Sequence, residues 1–248
     1  MKPIYAAPFF GQFGAEVAVW APWLRAQKED WYVGRDMVVF CRRGHAELYR
    51  DFASQIIDVD EPEISAVSGV NAWVHGIGKL SRNCYHKFVC SDLRKRVALK
   101  DILCPTMPHP QHEKRMIVFA YAVEPDPSVV VVHARNCSWQ VHKNWPLGKW
   151  NELIAWYPNK YYAIGRKDQA MLPDGCVDLR GAPLSTVIRK MAGSCVVVGP
   201  ESGPMALAEQ AAARTVRWGI CAGFTESWDP EVVEVARAMK SVGCRVAI

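Results

Sequence analysis

The sequence predicts an α/β protein with two parallel sheets, each covered by helices. Strand and helix patterns alternate along both halves of the 248-residue chain, an order typical of parallel sheets. The valine runs at 129–132 and 196–198 are apolar throughout, as expected for strands buried on both faces. Half of the residues are hydrophobic, so the chain is long and apolar enough for two small doubly wound domains.

The first half of the chain, residues 1–113, is predicted to be one domain. Its expected elements are, in order, a strand at 4–10, a glycine loop at 11–14, a helix at 15–27 interrupted by Pro22, a strand at 37–41, a helix near 45–53, a strand at 56–59 and a charged helix at 91–103. The stretch 104–114 carries three prolines, which resist both helix and sheet, and is predicted to be a linker.

The second half, residues 114–248, shows the same alternation more clearly and is predicted to be a second domain. Its expected elements are a strand at 128–134, a polar loop at 135–146, a helix at 147–157, a strand at 160–165, a helix at 184–193, a strand at 195–199, a helix at 205–213 and a C-terminal helix near 229–240.

Charge and cysteine usage limit the partners and the compartment. The net charge of +5 is mild, but the stretch 79–100 is rich in Lys and Arg. It is either a solvated helix face or a patch for an anionic partner such as nucleic acid or a membrane surface.

Nine cysteines without a CxxC pair indicate free thiols in a cytoplasmic protein.

Neither a metal site nor a membrane-spanning segment is predicted. The cluster Cys84, His86 and Cys90 matches no standard zinc spacing. No run approaches the roughly 20 apolar residues that cross a bilayer. The N-terminal segment is typical of a first strand rather than of a signal peptide.

The loop at 199–204 is a candidate anion site. Gly203 permits a close approach of the backbone, and Pro204 suits the first turn of a helix. The helix N-terminus favours a phosphate, Ser202 adds a hydroxyl donor, and Glu201 offers an acceptor for sugar hydroxyls. The alternative is an ordinary strand-to-helix turn with Ser202 as the N-cap residue.

The loop at 133–146 strengthens the interpretation of a phosphate site. Arg135, His142 and Lys143 follow a buried strand, and such cations neutralise the charge of a departing diphosphate. Parallel strands end at one edge of a sheet, so this loop and the loop at 199–204 are expected to meet. Trp139 and Trp145 either stack on a ligand or pack in the core.

The segments "VVVHARN…HKNWPLGKWNELI" and "VDLRG…LSTVIRKMAGSCVVVGPESGPMALAEQAA" resemble the donor domain of GT-B glycosyltransferases of the heptosyltransferase-like family. The resemblance covers about residues 128–218. It implies two Rossmann-like domains facing a cleft, a nucleotide-sugar cosubstrate and no other cofactor. By this resemblance Ser202 and Gly203 contact the diphosphate, Lys143 a phosphate and Glu201 the donor sugar. Arg166 either lies where such proteins contact the nucleotide base or is an ordinary surface residue. The sequence departs from the family at Ala206, where the family has histidine, and at Glu201, where it usually has Asp.

In such enzymes the loop after the first strand faces the interdomain cleft, where glycines allow a close approach of the acceptor. Gly11, Gln12 and Gly14 are therefore the expected acceptor-binding residues. Glu16 is the predicted general base of an inverting, metal-independent transfer, with Asp36 and Asp58 as weaker candidates. The alternative role of Glu16 is to interact with the helix dipole.

The sequence leaves two acceptors open. One is a surface glycan, and the other is hydroxymethyl-pyrimidine DNA of the kind that phage glucosyltransferases modify. The basic stretch 79–100 would contact the phosphates of such DNA. The alternative from another class of protein is a non-catalytic module that binds nucleotides or nucleic acid. A dinucleotide oxidoreductase is disfavoured because "GQFG" is not the GxGxxG fingerprint.

Overall fold

A computed structural model describes most of both halves of the chain. It covers residues 1–9, 12–59, 101–103, 123–138, 140–157, 159–219 and 230–242. The chain forms two compact units, Met1–Ile117 and Val118–Ile248. Several predicted features lie outside the described residues: Gly11, Trp139, the stretch 79–100 with Cys84, His86 and Cys90, the linker at 104–114 and the boundary after residue 113.

The first unit contains a parallel sheet of four strands in the order β3-β2-β1-β4. The strands are β1 (Ile4–Ala6), β2 (Met37–Arg42), β3 (Gln55–Val59) and β4 (Ile102–Leu103). β1 pairs with β2 on one side and with β4 on the other. The chain therefore runs outward from β1 to β3 and returns to the opposite side of β1. This reversal of strand order marks the ligand end of open α/β sheets.

A helical region follows β1 and alternates between two helix types. α1 (Phe13–Ala15) and α2 (Ala21–Ala26) are α-helical, whereas Glu16–Trp20 and Gln27–Trp31 are π-helical. Pro22 lies in the first turn of α2 and has no N–H to donate, so the wider turn before it accommodates the lost hydrogen bond. The predicted helix is confirmed, and Pro22 changes its geometry without ending it.

Two helix predictions for the first unit are wrong where the structure describes them. At 45–53 a single 3-10 turn forms, Ala46–Leu48, because the flanking side chains of His45 and Tyr49 both bond to Glu16. At the end of 91–103, Ile102 and Leu103 form β4 and are almost fully buried. Pairing with β1 prevails there over the helical pattern of the preceding charged residues.

The second unit contains a parallel sheet of five strands in the order β7-β6-β5-β8-β9. The strands are β5 (Asp126–Val132), β6 (Lys160–Ala163), β7 (Val177–Asp178), β8 (Ser194–Pro200) and β9 (Thr215–Trp218). Val130 of β5 pairs with Tyr161 on one side and Val196 on the other. All residues of β8 are buried, which confirms that the valine runs form central strands.

In the described residues, four helices flank this second sheet. They are α3 (Leu147–Trp156), α4 (Leu184–Ala192), α5 (Gly203–Gln210) and α6 (Val232–Ser241), close to the predicted positions. None of the helices in the described ranges is both long and apolar enough to span a bilayer.

Three tryptophans form the centre of the core in the second unit. The ring centroids of Trp145 and Trp218 lie 4.6 Å apart, and Trp150 lies 5.2 Å from Trp145 and 5.7 Å from Trp218. Trp145 is 2 % exposed, so it packs in the core instead of offering a face to a ligand. The helical spacing of Trp156 predicts a core position for it too, but this residue is 46 % exposed.

Candidate functional site

The strand order of the second sheet reverses between β5 and β8, and the loops at 133–146 and 199–204 leave the carboxyl ends of these two strands. The loops meet, as their positions after neighbouring strands predict. The ammonium Nζ of Lys143 donates to the carbonyl oxygen of Glu201 over 3.4 Å, and Nδ1 of His133 lies 3.0 Å from Oγ of Ser202. Two conditions for an anion site, a cation and a helix N-terminus, are therefore close together.

His133 lies directly after β5 and is a residue that the sequence analysis missed. It is 5 % exposed. Burial first, and then the nearby positive charge of Arg135, lower the pKa of His133 to about 3, so the imidazole is neutral at physiological pH. A histidine at the end of an apolar strand is the only signal in the sequence, and it does not reveal the contact with Ser202.

Two glycines at neighbouring strand ends make room for His133. A Cβ at Gly165 would lie 3.1 Å from Cδ2 of the imidazole and 2.9 Å from Cβ of Ala170, and Gly165 has a φ of +119°. A Cβ at Gly199 would lie 3.1 Å from Cβ of His133. The positive φ and the close contacts require glycine at position 165, and a side chain at position 199 would crowd His133.

The N-terminus of α5 has no side-chain cap. Ser202 occupies the N-cap position in an extended conformation, but its side chain makes no capping hydrogen bond and contacts His133 instead. Pro204 lies in the first turn. The backbone N–H groups of this turn are therefore not satisfied by Ser202 and are suited to an anionic ligand.

Lys143 is 7 % exposed and lies at the end of a short 3-10 helix, Val141–Lys143. The loop before it is fixed by Arg135, whose Nη1 donates to the carbonyl of Gln140 and to the side-chain oxygen of Asn144. Burial lowers the pKa of Arg135. Gln140 has a φ of +53°, a conformation that costs a non-glycine residue about 1 kcal/mol or more, and the bond from Arg135 helps to hold it there.

The remaining predicted donor residues are more exposed or already paired. Glu201 forms an ion pair with Arg217, which also contacts Glu209. Burial raises the pKa of Glu201, and the positive charge of Arg217 opposes this effect. His142 is exposed, and the exposed Arg166 pairs with Asp168.

A polar depression of about 420 Å³ lies beside the ends of β5 and β6. It is lined by Asn136, Cys137, Ser138, Val141, Asn144, Asp168 and Gln169. Its side-chain amides and carboxylate can donate and accept several hydrogen bonds, which suits a heterocyclic base or a sugar.

In the first unit, Glu16 lies on the helical region that follows β1 and is fully buried. Its Oε1 accepts a hydrogen bond from the Tyr49 hydroxyl, and Oε2 lies 2.7 Å from Nδ1 of His45. The sequence analysis missed His45 and Tyr49. Their spacing of four residues hinted only at one face of a helix, and that helix does not form.

The other predicted residues of the first unit lie apart from this cluster. Gln12 is exposed at the N-cap position of α1, and Gly14 is half-buried within α1. Asp36 is exposed, and the exposed Asp58 accepts a hydrogen bond from the Cys41 thiol. Among the described residues, no group of three or more His, Cys, Asp or Glu side chains is arranged to hold a metal ion.

The two described sheets define an α/β protein of the GT-B type, with a Rossmann-like strand order in each unit. Among solved structures, the chain is similar to a glycosyl transferase of family 9 from Veillonella parvula, with a TM-score of 0.59, 10 % identity and 97 % and 96 % of the two chains covered. It is also similar to the ADP-heptose lps heptosyltransferase II of E. coli, with a TM-score of 0.61, 12 % identity and 98 % of each chain covered.

A third similar structure is the E. coli heptosyltransferase WaaC with ADP, with a TM-score of 0.52, 13 % identity and 97 % of each chain covered. No protein-family model matches the chain, and no curated protein matches it. At identities this low the similarity establishes the fold, and it confirms the expected likeness to heptosyltransferase-like GT-B proteins.

Proposed function

We propose that the protein is a glycosyltransferase that transfers a sugar from a nucleotide sugar to a hydroxyl group. The observation that carries this proposal is the meeting of the buried Lys143 with the turn that begins α5, at the reversal point of the second sheet. A lysine and an uncapped helix N-terminus together suit a diphosphate. The same fold occurs in proteins whose names record heptosyl transfer.

The donor diphosphate is assigned to Lys143, Ser202 and the first turn of α5 with Gly203 and Pro204. Arg135 fixes the shape of the loop through its bonds to Gln140 and Asn144. The exposed His142 and Arg166 are proposed to contact the nucleotide, and the polar depression beside β5 and β6 suits its nucleoside. Because Arg217 already pairs with Oε2 of its carboxylate, Glu201 would accept hydrogen bonds from the sugar hydroxyls through Oε1.

We further propose an inverting and metal-independent transfer. Lys143 and the helix N-terminus would provide the positive charge that stabilises the leaving diphosphate. Glu16 is the carboxylate proposed to assist deprotonation of the acceptor hydroxyl, with Gln12 and the adjoining glycines Gly11 and Gly14 near the acceptor.

The proposed acceptor is a glycan, because the similar proteins with informative names are heptosyltransferases. Hydroxymethylated DNA is kept as a separate arm of the test, since the basic stretch 79–100 that would contact it lies outside the described residues. The described cysteines are free thiols, which supports a reducing, cytoplasmic compartment.

The test is a donor screen by thermal unfolding. The purified protein is incubated with a panel of nucleotide sugars, and we expect one donor to raise the Tm by several degrees, as ligands that bind only the folded state do. Lys143→Met should abolish the shift because it keeps the length of the side chain and removes its charge. Lys240→Met, at an exposed position of α6, is the matched control and should retain it.

The donor that binds is then incubated with glycan acceptors and with duplexes containing hydroxymethyl-cytosine. Transfer to a glycan supports the proposal, and transfer to DNA alone would redirect it to nucleic-acid modification. A Tm shift without transfer or hydrolysis of the donor would favour a non-catalytic binding module. The absence of a shift with every nucleotide sugar would refute the donor site.

A further inference from the structure

The cluster around Glu16 indicates how the acceptor hydroxyl is activated. Glu16 is fully buried, and each of its carboxylate oxygens is already engaged, Oε1 with the Tyr49 hydroxyl and Oε2 with Nδ1 of His45, both over 2.7 Å. Because no part of Glu16 is exposed, a substrate hydroxyl would have to displace His45 or Tyr49 before it could reach the carboxylate. The carboxylate is therefore badly placed to be the direct proton acceptor.

His45 is the member of the cluster that a substrate can reach, since its side chain is 19 % exposed. The carboxylate can only accept, so Nδ1 donates its hydrogen, and the neutral imidazole then carries its lone pair on Nε2. Within the described part of the chain, Nε2 has no hydrogen-bond partner. The Phe13 ring packs edge-on against the imidazole with the centroids 5.3 Å apart, which holds the ring from a second side.

The position of the cluster in the fold also suits catalysis. Glu16 begins the π-helical segment after β1, and π-helical turns are frequent at functional sites. β1 is the strand at which the order of the first sheet reverses, and ligands of open α/β sheets bind beyond the carboxyl ends of such strands.

We propose that Nε2 of His45 accepts the proton of the substrate hydroxyl, and that Glu16 and Tyr49 are positioning residues. This inference rests on the proposed transferase function. The hydroxyl oxygen bonds to the anomeric carbon of the donor while its proton passes to Nε2. The bond from the anomeric carbon to the diphosphate oxygen breaks, and the nucleoside diphosphate leaves with that electron pair. Glu16 stabilises the imidazolium, which returns its proton to solvent after product release.

Neighbouring groups do not compete for this role. Cys41 of β2 donates its thiol hydrogen to Asp58 of β3. Burial, and then the interaction with Asp58, raise the pKa of this thiol, so it stays protonated. A base positioned by a third group is the general arrangement for activating a hydroxyl, and His45 with Glu16 fulfils it.

The first test reads the tautomer of His45 and needs no substrate. Long-range ¹H–¹⁵N correlation spectra of histidine-labelled protein, assigned with His45→Gln, report which ring nitrogen carries the hydrogen. We expect a protonated Nδ1 and an unprotonated Nε2 in the neutral form. We also expect Glu16→Gln to weaken this preference, because the amide can itself donate to Nδ1. An Nε2–H tautomer in the wild-type protein would overturn the proposal.

The second test measures release of nucleoside diphosphate from the nucleotide sugar that gives the Tm shift, with the glycan that supports transfer. His45→Gln should lower kcat by about 10²- to 10⁴-fold, as loss of a general base does, and leave the donor-induced Tm shift intact. Imidazole added to His45→Ala should restore part of the rate.

Tyr49→Phe and Glu16→Gln should lower kcat less than His45→Gln, with no rescue by imidazole. Glu47→Gln, which removes a carboxylate paired with Arg50 in the same turn, is the control and should keep the wild-type rate.

The outcomes separate this proposal from the transferase proposal. A wild-type protein that binds no nucleotide sugar overturns both. An active wild-type protein whose His45→Gln variant folds and retains its kcat overturns only the role of His45. In another outcome, the His45→Ala variant keeps its donor-induced Tm shift while added imidazole fails to restore sugar transfer. This result would show that His45 is structural.

Discussion

At the scale of single residues, His133 connects the central strand of the second unit to the turn that begins α5. Its ring is buried beside Gly165 and Gly199 and contacts Ser202. The side chain of Ser202 thus contacts the imidazole and does not cap the helix. The sequence analysis interpreted this histidine only as the end of a strand.

The buried His133 should make the second unit sensitive to acid. The pKa of His133 is lowered to about 3 in the folded state, below its ordinary value of about 6.5. The unfolded chain therefore binds a proton first, and stability that is present above about pH 6.5 is lost as the pH falls toward 3. His133→Asn should remove this component, which amounts to about 1.4 kcal/mol per pH unit within that window.

Urea unfolding of both proteins between pH 8 and pH 4.5 measures this dependence. At pH 8 the imidazole is neutral in both states, so the difference there reports the packing change alone. An equal decline of the unfolding free energy with falling pH in the two proteins would contradict the prediction.

At the scale of elements, the end of α5 departs from the usual chemistry of helix ends. Ala212 has a φ of +55°. Its N–H bonds to the carbonyl of Glu209, and the N–H of Ala213 bonds to that of Ala208. These two bonds form a Schellman motif, in which the residue with positive φ is normally glycine.

Replacing Ala212 by glycine should therefore stabilise the protein. Ala212→Gly relieves the contact of Cβ with the backbone, and we expect a gain of about 0.5–1 kcal/mol in the free energy of unfolding. Ala206→Gly, in the interior of the same helix, should instead cost about 1 kcal/mol. Chemical denaturation compares the three proteins, and a loss of stability in Ala212→Gly would refute the assignment of the strained residue.

The elements that the sequence predicted well are those with continuous apolar character or a clear helix start. The valine run of β5, the run of β8 and the helix after Pro204 have the expected type because their local pattern and their burial agree. β4 was missed because a strand of two residues has too little pattern of its own and is defined by pairing with Tyr5 and Ala6. The turn at Ala46–Leu48 was missed because contacts with the distant Glu16 determine it.

At the scale of the whole molecule, the first four described strands of both units have the same order, with the first of them next to the fourth. The sequence predicted this architecture because strand and helix alternate in both halves. It also predicted that the Lys143 loop and the Ser202 turn converge. It could not reveal that Arg217 holds Glu201, because that pairing joins side chains of separate elements.

At this scale we predict that removal of metal ions leaves donor binding unchanged. The proposed donor site uses a lysine and a helix N-terminus for its positive charge, so incubation with excess EDTA should leave the Tm of the protein and the donor-induced Tm shift unchanged. At a donor concentration of 100 Kd the expected stabilisation is about 2.7 kcal/mol with or without the chelator. A shift that EDTA abolishes and Mg²⁺ restores would contradict metal independence.

The indole clusters give the molecule an optical property of its own. The centroids of Trp145, Trp150 and Trp218 are separated by 4.6, 5.2 and 5.7 Å, and Trp20 lies 5.3 Å from Trp23 in the first unit. Transition dipoles at such separations couple, so each unit carries a separate exciton chromophore in circular dichroism. Trp218→Phe would weaken one signal and Trp23→Phe the other. The melting of each unit could then be followed within one intact chain.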